Sequence, residues 1–176
     1  MALLCLLLTL LPAPLARLPA INHSRELLAE QGMAVLGAWA LLNLLVSGYY
    51  VAQSDSRTEG RWFHLMNVSW NVVNAVLAVV GMLRAHPGDV ASLTLAASLA
   101  AQFDFEKILL LNAGLDVAYI AVGSWLRAGA PRHAKPVRQL GFGRSLWVQG
   151  SFLLLFDLGF YFVYHRHAAE LLALVG

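Results

Sequence analysis

The sequence predicts an all-α protein: a four-helix antiparallel transmembrane bundle with a polar interior stripe and a short interfacial helix between spans two and three. Three observations predict it. Of the 176 residues, 59% are hydrophobic and 12% charged, against roughly 25% charged in soluble chains. Four segments each supply the ~20 predominantly apolar residues needed to cross bilayer hydrocarbon. No segment alternates with period two, and Ala and Leu dominate, which argues against strands. A net charge of +2, with no Lys/Arg cluster interleaved with aromatics, leaves no footprint for nucleic acid. Cys5 is the only cysteine, so neither an internal disulfide nor a cysteine-built metal site is available.

Residues 1–20 read as a leader and 21–176 as a four-span membrane domain. The run from Ala2 to Leu11 has signal-peptide length and is followed by Pro12, Pro14 and Pro19. It is too short to cross a bilayer. No Lys or Arg precedes it, and Pro14 disturbs the small-residue pattern before Ala16. A signal, cleaved or vestigial, is the first reading, and an attached interfacial segment is the second.

The spans follow in order: Gly32 to Ala52, Trp62 to Leu83, Ile108 to Leu126 and Ser145 to Tyr164. Val90 to Phe103, after a Pro87-Gly88 turn, is apolar but too short to cross. It reads as a helix in the interface or as the start of a long third helix. The loop between spans three and four carries Arg127, Arg132, Lys135, Arg138 and Arg144 without an acidic residue, and the loop between spans one and two adds Arg57 and Arg61. The positive-inside bias therefore places both loops inside and both termini outside. Trp62, Trp125 and Trp147 then fall at the inner interface, where indole rings favour the headgroup level.

Each span carries polar groups at i, i+4 and i+7, a spacing that collects them on one helix face. The sets are Asn43, Ser47 and Tyr50; Asn67, Asn71 and Asn74; Asn112, Asp116 and Tyr119; and Asp157, Tyr161 and Tyr164. Asn43, Asn74, Asp116 and Asp157 lie near mid-span, so an inward-facing bundle brings them to one level. No Lys or Arg lies inside a span, and a lone carboxylate in hydrocarbon is heavily penalised. Protonation of one or both acids, a shared proton, or a bound cation resolves this. The plain alternative is that Asn, Ser and Tyr only join helices, through hydrogen bonds of roughly 1 kcal/mol each. Ala34, Ala38, Gly114 and Ala118 read as small residues that let backbones approach.

Among six histidines, His86, His165 and His167 are weak candidates for a metal at the outer face; solvated helix ends are the ordinary reading. His64 belongs to the opposite side, which argues against a haem held between it and His165. Asp104, Glu106 and Lys107 read as the charged entry to helix three, and Gly141-Phe142-Gly143 as a flexible entry to helix four. No nucleotide loop, nucleophile elbow or zinc-peptidase signature is present.

Phe63-His64-x-Met66-Asn67-x-x-Trp70-Asn71-x-x-Asn74, Glu106 through Asp116, and Gln149-Gly150-x-Phe152 with Phe156-Asp157 resemble a family of small bacterial membrane proteins of unknown function. The resemblance covers most of the chain after residue 25. It implies a bacterial four-helix membrane protein and supplies no activity; the expected location is the bacterial inner membrane.

Three functional classes remain. The first is a non-enzymatic protein that holds a small ligand, lipid or cation among Asn71, Asn74, Asn112, Asp116 and Asp157, with Asn43, Asn67, Tyr119 and Tyr161 in support. It could equally be an accessory subunit of a larger membrane complex. The second is a proton- or ion-coupled transporter, oligomeric and titrating Asp116 and Asp157. The third is an intramembrane enzyme with a carboxylate acid or base. No cofactor is identified. The expected partners are the lipid bilayer and either further copies of the chain or a larger complex.

Overall fold

The computed structural model describes residues 15–86 and 88–175. Among them every regular element is helical. The Ala2–Leu11 run of the leader and Pro87 lie outside the described residues. A 3-10 turn, Leu15–Arg17, leads directly into α1, Leu18–Gln53. The helices α2 (Glu59–Arg84), α3 (Leu95–Gly129), α4 (Pro136–Tyr164) and a short α5 (Arg166–Leu172) complete the chain. Four helical stretches are long and apolar enough to cross a membrane. Of the two readings given for 90–103, the long third helix is found: only Val90–Ser92 forms a separate 3-10 turn, and α3 begins at Leu95.

Local chemistry sets these boundaries. Thr58 and Thr94 cap α2 and α3 by accepting hydrogen bonds from Arg61 and Ala97 backbone N–H groups. Arg61 Nη1 donates to the Val51 and Ser54 carbonyls, closing the C-terminus of α1. Pro136 occupies the first position of α4, where a missing N–H costs nothing. At 1.5 Å rise per residue, the 36 residues of α1 and 35 of α3 reach about 54 and 52 Å. That exceeds the ~30 Å hydrocarbon layer. Both helices therefore continue past it at the end of the bundle where they begin, here the proximal end. There Leu18 and Ile21 of α1 pack with Leu171 of α5 and Leu95 and Leu99 of α3.

The packing is a chain rather than a square. α1 packs on α2, α2 on α4, and α4 on α3, while α2 and α3 hardly touch. Glycines make the close contacts. A Cβ on Gly141 would stand 2.6 Å from the Glu59 carbonyl and 2.7 Å from the Phe63 amide of α2. One on Gly143 would stand 2.6 Å from the Gly123 carbonyl of α3. Gly150 approaches the Asp116 carbonyl in the same way, at 3.0 Å. The Gly141-Phe142-Gly143 segment is thus helical and tightly packed, in place of the flexible entry expected from sequence.

A second correction concerns the small residues. Ala34, Ala38, Gly114 and Ala118 are exposed, and a Cβ on Gly114 would meet nothing within 4 Å. Their spacing carries no information on which way the face points. The contacts fall instead on Gly32, Ala40, Ala78, Gly81 and Ala113, which share the phase of the buried polar residues.

Gly141→Ala is expected to lower stability by about 1–3 kcal/mol, because the backbone of α2 has to move. Gly114→Ala should stay within about 0.5 kcal/mol. Reversible unfolding of both variants in detergent checks the contrast.

Candidate functional site

The polar stripe divides into three parts. In the distal half, towards the 54–58 and 130–135 loops, Asn67 of α2 is the centre. Its Nδ2 donates to Asn43 Oδ1 and Ser47 Oγ of α1, each at 3.2 Å. Its Oδ1 accepts from Ser145 Oγ at 2.7 Å and Gln149 Nε2 at 3.0 Å, both on α4. Gln149 Nε2 also reaches Asn43 Oδ1, and Gln149 Oε1 accepts from Trp39 Nε1 at 3.1 Å. Ser47 shares a further hydrogen bond with His64 Nδ1, and the His64 ring stacks on Tyr50. Ser47, Asn67, Ser145 and Gln149 are all buried. This part is closed, and its geometry is that of an interhelical clamp. Asn43, expected level with the acids, belongs here.

The middle part holds the acids. Asp116 of α3 and Asp157 of α4 are buried, and their side chains lie within hydrogen-bonding reach of each other. Asn74 Nδ2 donates to Asn71 Oδ1 at 3.4 Å, and Asn71 Nδ2 to the Asn67 carbonyl, which links this level to the distal clamp. Asn74, Asn112, Asp116, Tyr119 and Asp157 line one cavity of about 530 Å³. Asn71 lies behind it, and Tyr161 does not face it; that ring stacks on His165. Tyr50 is exposed, so the α1 face rotates away from the stripe near its end.

The cavity follows from the sparse α2–α3 contact. Its floor closes where the Trp70 and Tyr119 rings meet edge to face, with centroids 4.5 Å apart. Its walls are apolar, with Met33, Leu36, Phe105, Leu109, Leu153 and Phe156. Val73, Leu77, Ile108 and Leu115 line it and remain 42–54% exposed, so it opens sideways between α2 and α3. Buried polar groups in folded proteins are almost always paired. Among the described residues, Trp70 Nε1 has no acceptor at this floor, and Asp116 Oδ2 has no donor other than a proton shared with Asp157.

The third part is proximal and was not foreseen. Arg25 and Gln102 are among the most fully buried side chains, and Glu106 is buried as well. Glu106 accepts from Gln102 Nε2 at 2.7 Å and faces His165 Nδ1 at 3.0 Å. Only Asp104 and Lys107 form the exposed charged pair expected at this entry. Helical phase could have shown this. Ser98, Gln102, Glu106, Leu109, Ala113 and Asp116 follow one another at three- and four-residue steps, as do Asn22, Arg25, Ala29, Gly32 and Leu36.

The three histidines expected at the outer face do not assemble. His86 Nδ1 meets its own neighbour's carbonyl, His165 meets Glu106, and His167 meets Ser24. Among the described residues no group of three His, Cys, Asp or Glu side chains is placed to share a metal. His64 and His165 lie towards opposite ends of the bundle.

The fold and its polar seam define a four-helix bundle of transmembrane dimensions with an internal cavity. The chain belongs to the family of unknown function DUF6992, whose sequence profile matches residues 35–158. No curated protein and no solved structure matches it.

Asn67→Ala removes the centre of the clamp and leaves Ser145 and Gln149 short of partners. Stability should fall by about 1–3 kcal/mol, while Asn112→Ala, whose side chain has no partner to lose, should cost less than half as much. Unfolding in detergent compares the two.

Proposed function

We propose that the protein is a non-enzymatic membrane protein that binds a small membrane-soluble molecule in the cavity between α2 and α3. The observation that carries this reading is the floor. A buried carboxyl pair and an indole N–H border the same space; among the described residues the indole has no acceptor and Asp116 has only Asp157 beside it. A ligand that donates to Asp116 and accepts from Trp70 would meet both needs. The volume falls in the range of small-molecule sites, and the mostly apolar lining with a few convergent polar groups is their usual composition. The sideways opening lets such a molecule arrive from the lipid without crossing the headgroups.

The distal end carries the basic loops. Glu59 lies 3.9 Å from Arg127 and 4.0 Å from Arg144, while Arg138 and Arg127 lie over the Trp62 and Trp147 rings. A basic, indole-rich end supports its assignment to the inner face of a bacterial cytoplasmic membrane, with both termini outside.

A second reading, ion- or proton-coupled transport, rests on the contact between Asp116 and Asp157. It requires the Asn67 clamp to open, because that clamp closes the path from the acids to the distal loops.

Protein extracted in lipid nanodiscs should retain a small molecule detectable by native mass spectrometry. The Asp116→Asn/Asp157→Asn double variant should retain about tenfold less, the worth of one charge-assisted hydrogen bond. Equal retention would remove the acids from the site. Proton flux into liposomes by wild type but not by the double variant would move the assignment to transport.

A further inference from the structure

Arg25 has no role in the reading above, and its surroundings are unusual. It is 1% exposed, yet it lines the cavity at the end opposite Asp116. Of five guanidinium N–H donors, the only hydrogen bond among the described residues runs from Nη1 to the Ser98 carbonyl, at 2.6 Å. Nε is buried without an acceptor. No described carboxylate lies within 4.0 Å of it. Glu26, the nearest acid in sequence and also at the rim, accepts from the His86 backbone N–H instead. Glu106 is taken by Gln102 and His165.

A buried charge without a counter-charge is strongly unfavourable, and arginine is suited to gripping carboxylate or phosphate through paired N–H groups. A second cation, the exposed Arg84, stands on the same rim. Between this rim and the acid floor the wall is hydrocarbon. On α3 the lining runs from Ala101 to Tyr119, about 27 Å of helix rise. Arg25 itself sits two turns before the apolar span of α1.

Resting on the ligand-binding reading, we infer that the ligand is an anionic amphiphile. Arg25, assisted by Arg84, holds its carboxylate or phosphate head at the membrane surface. Its hydrocarbon body lies in the cleft between α2 and α3 and points towards Asp116 and Asp157. The site thus takes a single-chain or lipid-like anion from the proximal leaflet, oriented head outward.

The test uses the full chain, delipidated in neutral maltoside detergent. Palmitate, cetyl alcohol and inorganic phosphate are titrated while thermal stability and bound ligand are followed by native mass spectrometry. Palmitate should bind and raise the Tm, whereas cetyl alcohol and phosphate should bind at least about tenfold more weakly, since each lacks one half of the ligand. Arg25→Gln should weaken palmitate by about tenfold or more and leave cetyl alcohol unchanged. Arg25→Lys should recover part of the loss, and Arg84→Gln, at the exposed rim, should have a smaller effect. Palmitate carries no donor for Asp116, so its affinity reads the Arg25 end alone, while retention by the Asp116→Asn/Asp157→Asn variant reads the floor, and the two tests fail separately. If Arg25→Gln does not fold, the Arg25→Lys and Arg84→Gln titrations decide, and unchanged palmitate affinity in both overturns the inference. Equal binding of palmitate and cetyl alcohol overturns the anionic head but not the cavity. Phosphate binding as tightly as palmitate overturns the amphiphile in favour of a free anion. Binding of none of the three overturns both the inference and the ligand-binding reading.

Discussion

The structure depends on a rule of hydrocarbon: a polar group there has to find its partner within the protein. Asn67 shows how the chain meets it. One amide donates to two groups on α1 and accepts from two on α4. It thereby sets the rotation of three helices at once, because a turn of any of them would strand an amide in lipid. Interhelical hydrogen bonds in membranes are individually modest. Their value here lies in specifying one rotational register.

Once α1, α2 and α4 are clamped, the position of α3 follows from glycine. α3 packs mainly on α4, where Gly143 and Gly150 allow backbone contact. Nothing of that kind draws α3 to α2. The gap between them is therefore built into the packing: it is where small residues and amides stop. The acid pair sits at the α3–α4 seam facing this gap, so the most polar interior groups border the emptiest part of the bundle.

Much of this was legible in the sequence. Composition and segment length suffice for four helices, since lipid permits few other solutions. The period of Asn67, Asn71 and Asn74, and of Asp116 with Asp157, correctly put them inside. Two things were not legible. The stripe does not say which polar residues meet: Asn43 joined Asn67 and Gln149 instead of the acids, because sequence gives phase along a helix but not the axial offset between helices. Arg25 and Glu106 looked like surface charges because they lie beyond the apolar spans. The long helices continue past the apolar spans and bury both, Arg25 beside the Ser98 carbonyl and Glu106 beside Gln102 and His165, and only following the phase back past the first apolar residue would have shown it. The small-residue positions failed for a related reason: Ala is as welcome facing lipid as facing a helix.

The order of contacts along the chain also bears on how the bundle assembles. α1 and α2 are joined by residues 54–58, and α3 and α4 by 130–135, so each intimate pair forms from neighbours in sequence. The chain is in effect two hairpins, joined across the α2–α4 surface where Gly141 meets the α2 backbone. Each hairpin can enter the membrane with its own loops and caps complete. The Asn67 amide is a latch between them, because Ser145 and Gln149 reach it from the second hairpin.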